Sequence, residues 1–276
     1  MRENIRKFRK HKRAVAGLSL VTIEILLVII LPFVMELDPI TSTPAFNAPP
    51  GAAHLFGTDD IGRDLFARVI YGGRVSLKVG IFSTVITVLI GLPAGLIAGY
   101  YRGMFETVIM RTADIFMAVP SMILILVVVT IFKSSVWNIT VIIGVLGWPS
   151  VARLIYGNVL SVTGKEYIEA ARVIGTGNFA MIFKYILPNS ISPLWMTIAF
   201  RISQAMMTEA GLSFLGAGVQ PPNASWGNII YAAQDLTVLT TRPWVWLPPG
   251  IIMLITVMSI NLVGEGIRDT LDPKTR

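Results

Sequence analysis

The sequence predicts an all-α integral membrane protein with six transmembrane helices, and composition and pattern both point there. Hydrophobic residues make up 54% of the 276-residue chain and charged residues 14%, whereas a soluble domain gives about a quarter of its positions to charge. The apolar residues gather into six runs, roughly 14–35, 75–99, 107–133, 136–156, 190–216 and 246–264. Each approaches the ~20 residues that a helix needs to cross a bilayer. Helix is the form these runs must take, because lipid cannot satisfy free backbone groups.

The first run, Ala14 to Met35, follows a basic tail (residues 1–13) holding seven of the 23 Lys and Arg residues. That clustering accounts for much of the net charge of +7 as a cytoplasmic anchor rather than a nucleic-acid surface. The run exceeds a signal-peptide core, so it reads as a retained span. Residues 36–74 form a polar loop rich in Pro, Gly and Asp. Pro93, Pro120 and Pro149 sit inside later runs and are expected to kink them. Tight turns are expected at 100–106 and 134–135. Residues 217–245, with Pro221, Pro222, Trp226 and Trp244, and Trp246 just beyond, suit an outward interfacial loop. Residues 265–276 form a C-terminal tail. With the N-terminus inside, sixteen Lys and Arg fall on inner segments and five on outer ones. This puts both termini, and the 157–189 segment, in the cytoplasm.

That segment reads as a knob. Thr163 and Glu166 have capping-box spacing and would start a short helix through Tyr167, Ala170, Ala171 and Ile174. Gly175 supplies a stop, and Asn178 would cap a second short helix running to Pro188. Two short helices and a turn at a membrane face are built to fit a socket on another protein.

Ionisable groups inside spans are costly unless paired or facing water. Glu24 and Arg201 lie at similar depth in the first and fifth runs. They are expected either to neighbour each other or to meet polar partners on another subunit. Arg201 is also a candidate for a transport cavity, as are Met206 and Met207, which could equally be packing residues. Arg111 and Asp114, three apart, are expected to form a local pair. Glu209 could brace a helix junction. In the outer loop Asp59, Arg63 and Asp64 could dock a partner, with bracing the plainer role.

Four segments carry a resemblance. Glu169-Ala170-Ala171, then Gly175, then Tyr185, Leu187 and Pro188 resemble the cytoplasmic "EAA" loop of ABC importer permeases, with Tyr185 in place of isoleucine. Phe56 to Asp64, continuing through Arg68, Gly72, Gly73, Arg74, Ser76 and Leu77, is similar to the C-type permease of dipeptide, oligopeptide and nickel importers. So are Glu209 to Gly227 and Asn261 to Asp269, ending Leu271-Asp272-Pro273. Gly73 stands where alanine is usual, and Glu265 where aspartate is common.

The resemblance implies a type I ABC importer permease fold in a bacterial or archaeal inner membrane. Residues 75–264 would be the five-helix core. The loop with Glu169, Ala170, Ala171, Gly175, Leu187 and Pro188 would be the coupling helix that sits in a groove of an ATPase. It also implies a B-type permease partner, two ATPase subunits and an extracytoplasmic binding protein. The cargo would be di- or oligopeptides, or alternatively nickel or a metal chelate.

The residues exclude several classes. No G-x-x-x-x-G-K-[ST] sequence occurs, so ATP and its Mg must bind a partner, and no cofactor is expected here. The chain has no cysteine, only His11 and His54 as histidines, and no G-x-S-x-G, which leaves little for an intramembrane enzyme. An ion-coupled secondary transporter would need a relay, for which Glu24, Asp114 and Glu209 are the candidates. No pair of broken helices at matching positions supports it.

Overall fold

A computed structural model describes residues 6, 8–132 and 135–271. The remaining residues, at both termini and at 133–134, lie outside the described part, and with them the first residue of the predicted turn at 134–135. Every named element is helical; the only β pairing among the described residues is two isolated bridges, Ser42 with Arg63 and Thr58 with Asp64.

Helix α1 spans Lys12–Val34 and α2 Leu65–Tyr101. α3, Gly103–Ala118, and α4, Ser121–Ile131, follow, then α5, Val136–Thr163. The short α6 is Glu166–Val173, and residues 178–190 hold α7 (Asn178–Ala180), a π-helical turn (Met181–Ile186) and α8 (Leu187–Ser190). α9 is Ser192–Phe214, α10 Trp226–Ile230, α11 Leu236–Thr241 and α12 Pro243–Leu271. One end of the bundle carries the 36–64 loop, the other the 164–190 knob.

Four of these helices (α1, α2, α5 and α12) are long and apolar enough to cross a membrane, and α3 with α4 makes a fifth if counted together. α9 has the length, 23 residues or ~34 Å, but Arg201, Gln204 and Glu209 dilute its apolarity. The six predicted runs thus each correspond to helix, but the third is not one rod. α3 and α4 meet at 89°. Pro120 disfavours helical geometry in the residue before it, and Val119 is extended (φ −95°, ψ 133°). Pro93 and Pro149, by contrast, lie within continuous helices.

Several boundaries differ from expectation, and two of them redraw the 36–74 loop and the C-terminal tail. The second span begins ten residues early, so the loop ends at Asp64, not residue 74: Asp64 accepts from the Ala67 N–H (2.8 Å) and caps α2. The sixth helix runs on to Leu271, so most of the supposed tail is helix.

α2 packs chiefly on α5. Gly91, Gly95 and Gly99, four residues apart, face Val151, Ile155 and Val159. A Cβ on Gly95 would lie 2.5 Å from the Ala152 carbonyl. Small residues at such spacing let membrane helices approach closely. Pro32 in α1 removes the donor for the Val28 carbonyl. The Arg74 guanidinium of α2 takes its place, with Nε donating to Val28 O (2.5 Å) and Nη2 to Ile29 O (2.8 Å).

Candidate functional site

The knob is anchored on one side and apolar on the other. Ile168 and Ala171 of α6, and Met181 and Ile186 of the π turn, are buried against Leu96, Val151, Ile155 and Val159. Val173, Ile174, Phe179 and Phe183 point away and are 86%, 78%, 76% and 51% exposed. Phe179 and Phe183 rings lie 4.5 Å apart. Glu169 and Ala170 are exposed beside them, as is Pro188, while Leu187 is half-buried.

Gly175 ends α6 as expected. Its φ is +82°, its N–H donates to Arg172 O (3.0 Å), and Thr176 N–H donates to Ala171 O (3.1 Å). That is a Schellman closure, which favours glycine. The expected capping box does not form. α5 runs through Thr163, whose hydroxyl donates to Leu160 O (3.1 Å), and the N-cap of α6 is Lys165. Nor does Asn178 cap the second helix. Gly177 holds that position, and Asn178 Oδ1 instead accepts from the Tyr100 hydroxyl (2.8 Å), tying the knob to α2. The helical path continues through Pro188, where the π turn gives way to α8.

A second feature is a cavity of about 300 Å³ between α2, the α3–α4 elbow, α5 and α9. Ser83, Thr84 and Thr87 form one wall, Phe116 to Ser121 the elbow side, and Arg201, Gln204 and Thr208 project from α9. Of the three predicted path residues only Arg201 lines it. Met206 is fully buried, packed against Gly80 on another face of α9, and Met207 is 58% exposed. Helical phase carries the two methionines away from the wall that Arg201, Gln204 and Thr208 share.

The predicted ionic neighbours are rearranged. Glu24 meets the buried Thr256 hydroxyl of α12 (2.5 Å), and Arg201 Nη1 donates to Gln204 Oε1 (3.2 Å); no ion pair joins Glu24 and Arg201. α12 covers the face of α1 that carries Glu24, so Arg201 is out of its reach. Arg111 lies 3.8 Å from Asp114, but Arg153 of α5 holds Asp114 more closely, in an α3–α5 contact that spacing along the chain could not reveal.

At the loop end, Asp59 accepts from the backbone N–H groups of Ile61 and Arg63 and pairs with the Arg63 side chain (2.7 Å), with Arg68 at 3.6 Å. Asp64 also contacts His54 (2.7 Å). These charges brace the loop. The hydroxyl and two backbone N–H groups around Asp38 hold its carboxyl below the usual carboxylate range.

Beneath this loop lies the helix junction expected at Glu209, with partners that the sequence did not reveal. Glu209 is fully buried and accepts from Ser213 (2.7 Å), Ser225 (2.8 Å) and Ser76 (3.3 Å). Ser76 in turn accepts from the Trp226 N–H (3.2 Å), and the Trp226 indole donates to Val69 O (2.9 Å). Trp226 is fully buried against Gly72 and Gly73, so it is no part of an outward aromatic face; Pro221 and Pro222 are exposed. Two motif segments thus meet at one point, the first through residues 72–76 and the second through both of its ends, 209–213 and 225–227.

Comparison with known proteins fits this architecture. Residues 91–276 match the family "Binding-protein-dependent transport system inner membrane component", and residues 1–50 match the N-terminal transmembrane domain of oligopeptide transport permease C. The oligopeptide transport system permease protein OppC of Bacillus subtilis is 37% identical, over 98% of this chain and 88% of the relative. The glutathione transport system permease protein GsiD of Pectobacterium atrosepticum is 38% identical, over 100% and 91%. The dipeptide transport system permease protein DppC of Alkalihalophilus pseudofirmus is 36% identical, over 100% and 90%. Among solved structures, an inward-facing MetNI methionine ABC transporter chain superposes with a TM-score of 0.65 at 20% identity, over 75% of this chain and 98% of that one, a likeness of fold.

Proposed function

We propose that this chain, which belongs to the family of binding-protein-dependent transport system inner membrane components, is the C-type permease of an ATP-driven importer of di- and oligopeptides. Similarity along the whole chain to relatives named for oligopeptide, glutathione and dipeptide transport supports the cargo class. In this reading the chain lies in the inner membrane with both termini and the knob in the cytoplasm. It pairs with a B-type permease, receives cargo from an extracytoplasmic binding protein, and does no chemistry itself. ATP and Mg bind two partner ATPases.

The observation that carries the coupling role is the exposed ridge of Val173, Ile174, Phe179 and Phe183 on an anchored base. Burying each such side chain gains ~1.5–3 kcal/mol, which favours docking in a groove. Glu169, Ala170 and Gly175 shape the ridge, Ala171 pins it, and Leu187 and Pro188 carry the chain back toward α9. Closure of the ATPase pair would move the knob, and Ile168, Ala171, Met181 and Ile186 would pass that movement to α2 and α5. Asp59, Arg63 and Asp64 hold the outer loop in shape. Arg201 faces the path.

Reconstitution tests this. Proteoliposomes with the second permease, both ATPases and the binding protein should accumulate a labelled oligopeptide only with ATP inside the cytoplasmic compartment. Uptake driven by a proton or sodium gradient without ATP would refute the assignment.

A further inference from the structure

We propose that the cavity between α2, the α3–α4 elbow, α5 and α9 is a transit site for the free carboxylate of the cargo, anchored by Arg201. This rests on the peptide-importer reading above. The argument starts from an unbalanced charge. Arg201 lies midway along a helix in the apolar part of the bundle, where a guanidinium needs a partner or water. Its hydrogen-bond partner is the neutral Gln204 amide, and among the described residues no carboxylate reaches it. Two other arginines, the buried Arg68 and the half-buried Arg74, are occupied by Asp59 and by backbone carbonyls. Arg201 instead borders open volume.

The rest of the wall fits a zwitterion. Ser83, Thr84 and Thr208 donate their hydroxyl protons to carbonyls of their own helices, and Thr87 donates to Gly144 O (2.8 Å). What those oxygens offer the cavity is lone pairs, suited to N–H groups. Gln204 accepts from Arg201 through Oε1, which leaves its amide N–H₂ to donate beside the guanidinium. Donors therefore gather at Arg201 and Gln204 on α9, and acceptors at Ser83, Thr84 and Thr87 on α2, with Thr208 adding one acceptor from α9. A peptide terminus presents a carboxylate, which guanidinium groups bind in a two-pronged, charge-assisted way. A bare divalent cation would be repelled, so the same geometry favours peptides over uncomplexed metal.

The test compares one tripeptide with its C-terminal amide in proteoliposomes holding the whole complex and an unchanged binding protein. R201Q should lower uptake of the free acid about tenfold relative to the amide, and R201K should keep most of the wild-type preference. Equal loss for both peptides, or no loss for either, would overturn the proposal. A chain without cysteine allows a second test should R201Q fail to assemble. R201C, labelled after reconstitution, should regain the preference with a cationic methanethiosulfonate and not with an anionic one; rescue by both reagents, or by neither, would overturn it. If the wild-type complex takes up neither peptide, the importer reading itself fails instead.

Discussion

At the loop end Glu209 is fully buried, and three hydroxyls converge on its carboxyl while Trp226 closes over Gly72 and Gly73. At the knob end Ile174 and Phe179 stand more than three-quarters exposed. The first region satisfies its polar groups and buries its largest side chain within one chain. The second leaves apolar surface without cover. Both were marked by motif segments, yet the physics differs: one motif set builds a joint, the other presents a contact. A motif residue's role is thus read from where its side chain ends, not from its being in a motif.

Substitutions can break or sharpen that contrast. The largest effect is expected at Trp226→Ala, which removes a fully buried side chain at a cost of ~3–5 kcal/mol. Thermal unfolding of the purified complex in detergent should show the loss, and an unchanged Tm would mean the joint is not structural. Next is Glu209→Ala, which strands buried hydroxyls for ~1–3 kcal/mol. Glu209→Gln should cost less because the amide oxygen still accepts, and the ranking of the two Tm values checks this. At the knob, Gly175→Ala meets no atom within 4 Å, so only the left-handed backbone is strained, by ~1–2 kcal/mol. Its Tm shift should be the smallest of these, and proteolysis of the 164–190 segment should report the local loosening.

Much of the fold was legible because lipid imposes helix and length on apolar runs. The α2 start was missed since Arg68, Gly72, Gly73 and Arg74 look like loop; Asp64 before Leu65 was the available capping signal. The 89° elbow needed more than Pro120, because Pro93 and Pro149 sit in helices that continue. Trp226 was misplaced because an aromatic near a membrane end suits an interface, and its true partners lie some 150 residues away. At the knob, Gly175 was readable from local backbone chemistry alone. The Thr163 box failed because α5 runs about two turns further than its apolar run suggested, ending at Thr163. Arg201 was flagged by its cost in lipid, whereas Met206 and Met207 depended on helical phase against neighbours that sequence does not show.

The central claim is that the exposed ridge of the knob transmits ATPase closure to α2 and α5. Peptide-stimulated ATPase activity of the reconstituted complex carrying Phe179→Asp tests it most directly. The account expects Tm and membrane insertion to match wild type, because the ring is 76% exposed, while stimulation by loaded binding protein falls at least tenfold. Full stimulation in that variant would contradict it.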